Sequence, residues 1–350
     1  MNSLRRLATS VLVALLITIV SLPHAGAVTI DWVTVGDPGN AADTTGYGAV
    51  AEEFRVLEFE WTNSQYAQFL NAIDPEGTNP NSVYNSNMGS NARGGISFDT
   101  NASSGSKYAV RTDMGDKPVN YVTWFDAARV SNWLQNGAQA YGNTDSSASA
   151  PQNTGAYSVG TATSGSAVAK NVGALYWVPS ENEWYKAAYY NPTLNSGSGG
   201  YAVYGNGFST LPGEVSANST GDGSAGPTGN FANCNLAADW NGQDGNVTTV
   251  GTNGAASYYG AFDMSGNVSE WNDLTGTADS FRALRGGGYS TAALNLASSN
   301  RTTSFPTTEA PTIGFRLASP IPVPEPSTCA MAIAGLACGG YSLFRRRTRS

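Results

Sequence analysis

Three blocks decide the reading of this chain: GAFDMSGNVSEW at residues 260–271, RALRGGGY at 282–289, and SNRTTSFPTTEAPTIGFRLAS at 299–319. The first sets Asp263 and Glu270 seven residues apart around the glycine turn at Gly266. Carboxylate and main-chain oxygens can then converge on one hard cation, the kind of ligand set calcium takes. The competing reading is that Asp263 and Asn267 only satisfy turn backbone and that Glu270 is solvated.

Working outward, composition removes several classes of chemistry. Residues 28–320 hold 12 Lys and Arg against 25 Asp and Glu, a net charge of −13. Nucleic acid and anionic lipid need a basic surface, so no nucleic-acid partner is expected. The single histidine, His24, lies in the N-terminal leader. That excludes Ser-His-Asp and Cys-His catalysis and histidine-ligated metals from the rest of the chain. Cys329 and Cys338 fall in a C-terminal apolar run and leave Cys234 alone, so no disulfide within the domain is expected.

The two ends read as addresses. Arg5 and Arg6 precede the apolar run Val11 to Leu22, and Ala25-Gly26-Ala27 supplies small residues for cleavage. Residues 1–27 are therefore expected to be a signal peptide, with signal peptidase as a partner. At the other end Pro324-Glu325-Pro326 precedes Ser327 to Phe344, 18 residues without a charge, followed by Arg345, Arg346, Arg347 and Arg349. An 18-residue apolar run is near the lower limit for a spanning helix, and the arginines would stay cytoplasmic before processing. Residues 321–350, with a helix at 327–344, resemble the PEP-CTERM sorting signal of Gram-negative bacteria. The resemblance implies recognition by an exosortase, removal of the tail, and delivery to the outer surface, exopolysaccharide or extracellular matrix. A plain membrane anchor is the alternative.

Between the ends three helices are legible. Thr62-Asn63-Ser64-Gln65 has the form of a capping box and opens a helix whose Tyr66, Phe69, Leu70 and Ile73 fall at helical spacing. A second runs through WFDAARVSNWLQNG, with Ala127, Val130, Trp133 and Leu134 on one stripe, and Ser180-Glu181-Asn182-Glu183 caps a third. All three read as core elements. Residues 142–170 and 192–229, rich in Ser, Thr, Gly and Asn, read as surface loops.

Residues 28–320 are identified as a member of the formylglycine-generating, sulfatase-modifying-factor family. Six blocks in order carry that resemblance: EFRVLEFEWTNSQYAQFLNAI, KPVNYVTWFDAARVSNWL, YWVPSENEWYKAAYY, FANCN with GQDGNVTTVGTNGAASYYGAFDMSGNVSEW, RALRGGGY, and IGFRLAS. It implies one α+β domain, loop-rich and related to the C-type lectin fold. It also implies an oxidase in which a cysteine pair binds copper(I) and converts a substrate cysteine to formylglycine. The cysteine positions here are Thr291 and Leu296, so no copper is expected: soft thiolates select that ion, and a hydroxyl and an alkyl chain do not. Gly288 and Ser269 also depart from the family's usual serine and tryptophan, and iron-dependent relatives need histidines this domain lacks.

The resemblance further implies two calcium sites. In the first, Asp263 and Glu270 ligate through carboxylates and Gly266 and Val268 through carbonyls. In the second, the ligands are Asn233, the carbonyl of Cys234, Asp244, and the carbonyl of Asn246. Two functions of different class follow. One is a calcium-stabilised, non-catalytic surface module that binds glycan or protein. The other is an enzyme, either the family's oxidase or divergent acid-base chemistry in the same cleft.

Overall fold

The computed structural model describes residues 28–138 and 147–322. The expected signal peptide at 1–27 and the expected helix at 327–344 lie outside the described residues. Among the described residues no helix is long and apolar enough to cross a membrane.

The strand Phe54–Leu57 pairs antiparallel with Trp32–Val35 on one side and with Ala318–Pro320 on the other, so the two ends of the domain meet in one three-stranded sheet. The second sheet is built from the three blocks that opened the sequence reading. Its order is Thr302–Ser304, Arg282–Arg285, Ser269–Asn272, Ile313–Gly314, with only the last pairing parallel. Register sets Arg285 opposite Glu270 and Gly314 beside it. Three short two-stranded pairings complete the strands, and irregular chain makes up much of the rest. The fold is α+β and loop-rich, as the sequence implied.

Each main helix starts where a side chain can satisfy its free N–H groups. Asn63–Ile73, Trp124–Gln135 and Glu181–Tyr189 open with reciprocal capping boxes formed by Thr62 with Gln65, Thr123 with Asp126, and Ser180 with Glu183. Such caps stabilise a helix by about 1 kcal/mol each. The box at Thr123 uses an aspartate where the usual pattern has Glu or Gln, so its sequence signature is weak.

Two expectations need correction. The second helix was expected to bury one stripe, yet every residue from Trp124 to Leu134 is buried, Asp126, Arg129 and Asn132 included. The cause is the segment beyond it. Asn132 Nδ2 donates to the carbonyls of Gln152 (3.1 Å) and Tyr157 (2.9 Å), and Arg129 Nε donates to Asn153 Oδ1 (3.0 Å). The described part of the presumed surface loop 142–170 therefore packs into the core through Ala150, Ala156, Tyr157, Val159 and Ala167. Ala202, Tyr204 and Val215 do the same for 192–229. Few large apolar residues did not mean exposure, because small side chains fit against a helix whose polar groups supply the hydrogen bonds.

Trp61, Trp124, Trp133, Trp184 and Trp271 are fully buried, and so are three arginines, Arg129, Arg282 and Arg316. Burying a charge is tolerable only when it is paired and hydrogen-bonded. Arg316 meets Glu270 at 2.6 Å, Arg285 meets Glu181 at 2.7 Å, and Arg282 meets Asp273 at 2.6 Å.

Candidate functional site

The structure brings Thr291 and Leu296 together over the glycine turn. Gly287 has φ 72°, and a Cβ there would strike the methyl groups of both. The Thr291 hydroxyl accepts a hydrogen bond from Gly288 N–H at 2.9 Å. Leu296, 1% exposed, sits in an apolar cluster with Tyr204, Ala232, Cys234, Ala293 and Ala297. Cys234 is distant in sequence but adjacent here, because Asn235 N–H donates to the Thr291 carbonyl (2.9 Å) and Leu236 N–H to that of Tyr289 (2.8 Å). Burial, aided by the negative charge of Glu214, pushes the Cys234 thiol up to about 12. It is a protonated core residue, and thiols react as thiolates.

At the first calcium loop Asp263 (φ 55°), Gly266 (φ 90°) and Asn267 (φ 61°) all take left-handed backbone. A side chain at 266 would also strike the carbonyl of Asn233. Glu60, inside the first family block but given no role by the sequence, organises this turn. Its carboxylate accepts from Asn267 Nδ2 (2.7 Å) and Val268 N–H (3.2 Å). Burial, and the nearby charges of Asp263 and Glu270, push Glu60 well above the ordinary carboxylate range. Asp263 is raised by burial as well, and its oxygens accept from Gly251 N–H (2.6 Å) and Asn253 Nδ2 (2.9 Å).

Glu270 and Asp263 have no hydrogen-bond partner in common among the described residues. Its oxygens take Arg316 Nε (2.6 Å), Arg316 Nη2 (2.7 Å) and Trp184 Nε1 (2.8 Å), so the cation it meets is a guanidinium. In the second set Asn233 Nδ2 donates to the Asn246 carbonyl (2.8 Å), and the Cys234 carbonyl accepts from Ala237 N–H (3.0 Å). Asp244 is exposed, and its carbonyl accepts from Arg93 Nη2 (2.8 Å). Asn233 Oδ1, buried and without a partner, is the atom among these that fits a hard cation best. Among the described residues no three His, Cys, Asp or Glu side chains are grouped to hold a metal. The fit to calcium is thus local to Asn233 and poor at Glu270.

The family model of the sulfatase-modifying factor enzyme 1-like domain matches residues 30–321. The chain belongs to this family. Solved structures with a similar fold include CarF (21% identical, 84% of this chain and 99% of that one, TM-score 0.48) and Treponema denticola variable protein 1 (18%, 85% and 97%, TM-score 0.46). PvdO from Pseudomonas aeruginosa is 16% identical over 83% of this chain and 92% of its own, with TM-score 0.39. No curated protein matches.

In this sulfatase-modifying-factor-type domain, the cavities described lie away from Thr291. One of about 440 Å³ is walled by Asp31, Glu60, Asp116, Thr249 and Phe59, with no Lys or Arg in its lining. Another, about 170 Å³, lies between the start of the second helix and the loop before Ile313. Asn81, Asp126, Arg129 and Glu309 line it. Sequence reasoning assigned these four no role. The available signal was a charged pair three residues apart, Asp126 and Arg129, on a helix that reads as a core element.

Proposed function

We propose that this family member is an exported, non-oxidising binding and structural module, displayed at the outer surface or in an extracellular matrix. The observation that carries the reading is the filled cysteine position. Leu296 closes it with packed hydrocarbon, the Thr291 hydroxyl caps the glycine turn, and the one nearby thiol is held protonated. Copper(I) oxidation needs two soft thiolates at one point, and the neighbourhood supplies none.

Export rests on the terminal sequence signals, with signal peptidase and an exosortase as partners during delivery. A glycan or protein outside the cell is the ligand that display would serve, and the charge of −13 over residues 28–320 keeps nucleic acid away. Calcium belongs to the same proposal as a structural ion. The left-handed turn at Asp263–Asn267 and the unpartnered Asn233 Oδ1 support it, and the bond between Glu270 and Arg316 stands against it.

The test is incubation of the purified protein with a Cys-x-Pro-x-Arg peptide, copper(I) and oxygen, read by mass spectrometry. The peptide is expected to return unchanged. An aldehyde product would overturn the reading.

A further inference from the structure

The small cavity beside the second helix is lined by buried polar groups that the protein leaves unmatched. Arg129, fully buried, uses Nε on Asn153 Oδ1 and Nη2 on the carbonyls of Gly160 (3.3 Å) and Ala162 (2.6 Å), yet its Nη1 has no partner. Asn81, 2% exposed, has no partner for either Nδ2 or Oδ1. Buried polar atoms without partners are rare, and each calls for an explanation such as a ligand or ordered water. Here the residues that carry them line one cavity, together with Asp126 behind the helix cap, Glu309 at the mouth, Thr163 and Thr307.

The unmet groups select the ligand by elimination. They include donors, Arg129 Nη1 and Asn81 Nδ2, and an acceptor, Asn81 Oδ1. An anion would face Asp126 and Glu309, and a metal cation would face the guanidinium. An apolar group would leave all the unmet atoms unmet, at the usual penalty for buried polar groups. A hydroxyl both donates and accepts, so a ligand carrying several of them completes the set. The volume, about 170 Å³, holds a ligand the size of one sugar ring. We propose that the cavity formed by Asn81, Asp126, Arg129 and Glu309 binds a neutral, hydroxyl-rich ligand, a single saccharide unit. This gives the binding reading a site and a ligand class. It stands apart from the filled cysteine position, so the peptide assay and a sugar titration can fail independently.

The carboxyl groups suit this role. Burial pushes Asp126 up to about 6 against the hydrogen bonds from Thr123 and the charge of Arg129. Glu309, although its residue is exposed, is pushed up to about 7 by partial burial and by Asp126. Near neutral pH such groups can accept from or donate to a hydroxyl.

The experiment is titration of the full-length protein with free neutral monosaccharides and their disaccharides, followed by ligand-observed NMR. Binding of a monosaccharide, weakened about tenfold or more in Asn81→Leu, is expected, since each lost hydrogen bond of this kind is worth about a factor of ten. The same variant should melt at a higher temperature without sugar, because leucine removes two unpartnered polar atoms from the interior. A purely structural asparagine would lower the melting temperature instead. Because Arg129→Met could fail to fold, Thr307→Val serves as the second variant: it should weaken sugar binding and leave melting nearly unchanged. Failure of every sugar to bind, ordered water being the sole occupant, would overturn the proposal. Preferential binding of a divalent metal, an acetate or a phosphate in the same titration would overturn it as well.

Discussion

Two regions of the domain treat polar groups in opposite ways. Along the sheet that carries residues 269–272 and 282–285, Glu270 is enclosed by Arg316 and Trp184, and Glu181 meets both Arg285 and Arg301. Beside it the family's reactive position is filled by Leu296. Around Asn81 and Arg129, 140 or more residues before that sheet in the chain, buried donors and an acceptor have no protein partner. A position packed with hydrocarbon adds stability, whereas a place that receives a ligand must keep groups open for it. The contrast assigns stability to the first region and recognition to the second, and mutations should separate them.

The largest effect is expected at Glu270. Replacing it by glutamine keeps the shape but leaves Arg316 buried without its charge partner. Breaking a buried pair from one side costs about 3–5 kcal/mol. Denaturant unfolding checks this, and the loss should be the same with and without calcium. A small loss coupled to a vanished calcium response would make Glu270 a metal ligand instead.

Leu296→Ala comes next. The side chain is 1% exposed among small neighbours, so truncation leaves a cavity and costs about 3 kcal/mol. If unfolding shows no loss, the position is loosely packed and the filled-site reading fails.

The third effect is a pH slope. A carboxyl whose pKa is raised in the folded chain binds its proton more tightly there, so its contribution to stability is complete below its unfolded value. That contribution is lost as pH climbs through the folded value. For Asp126 the window runs from 3.8 to about 6, and stability should fall by about 3 kcal/mol across it. Arg129, Glu309 and Tyr66 are the ionisable groups that face it. Asp126→Asn should flatten the curve in that window, and an unchanged slope would place the titration elsewhere, Glu60, Asp263 and Asp273 being raised in the same direction.

The fold was largely legible from sequence and the candidate site was not, for physical reasons visible at particular residues. Two capping boxes and three helices follow local rules, and ordered family blocks carry the sheet. The third box escaped notice because Asp126 replaces the usual Glu or Gln. The burial of Arg129 and of residues 150–167 depends on contacts between segments with no periodic signature. Cys234 stands alone in the sequence, and sequence separation hides the backbone bonds from Asn235 to Thr291 and from Leu236 to Tyr289. The pairing of Glu270 with Arg316, 46 residues apart, is likewise a tertiary fact.

The smallest expected effect is that of calcium, and it probes an exception on the paired side. Asn233 Oδ1 is buried without a partner, close to the turn that Glu60 organises, so a hard cation has one ready ligand there. With Glu270 engaged by Arg316 and Asp244 facing solvent, the donor set is weak, and weak sites respond modestly. At a tenfold excess over Kd the linkage term is about 1.4 kcal/mol, below that of either side-chain replacement above. Chelation should then lower the melting temperature slightly, and Asn233→Leu should abolish the response, whereas Asp244→Asn should leave it nearly intact. If chelation instead costs more than Glu270→Gln does in calcium, the bond from Arg316 is not what completes Glu270 in the ion-loaded protein. The paired region would then owe its closure to the metal, and the contrast with the open cavity would be one between two ligand sites.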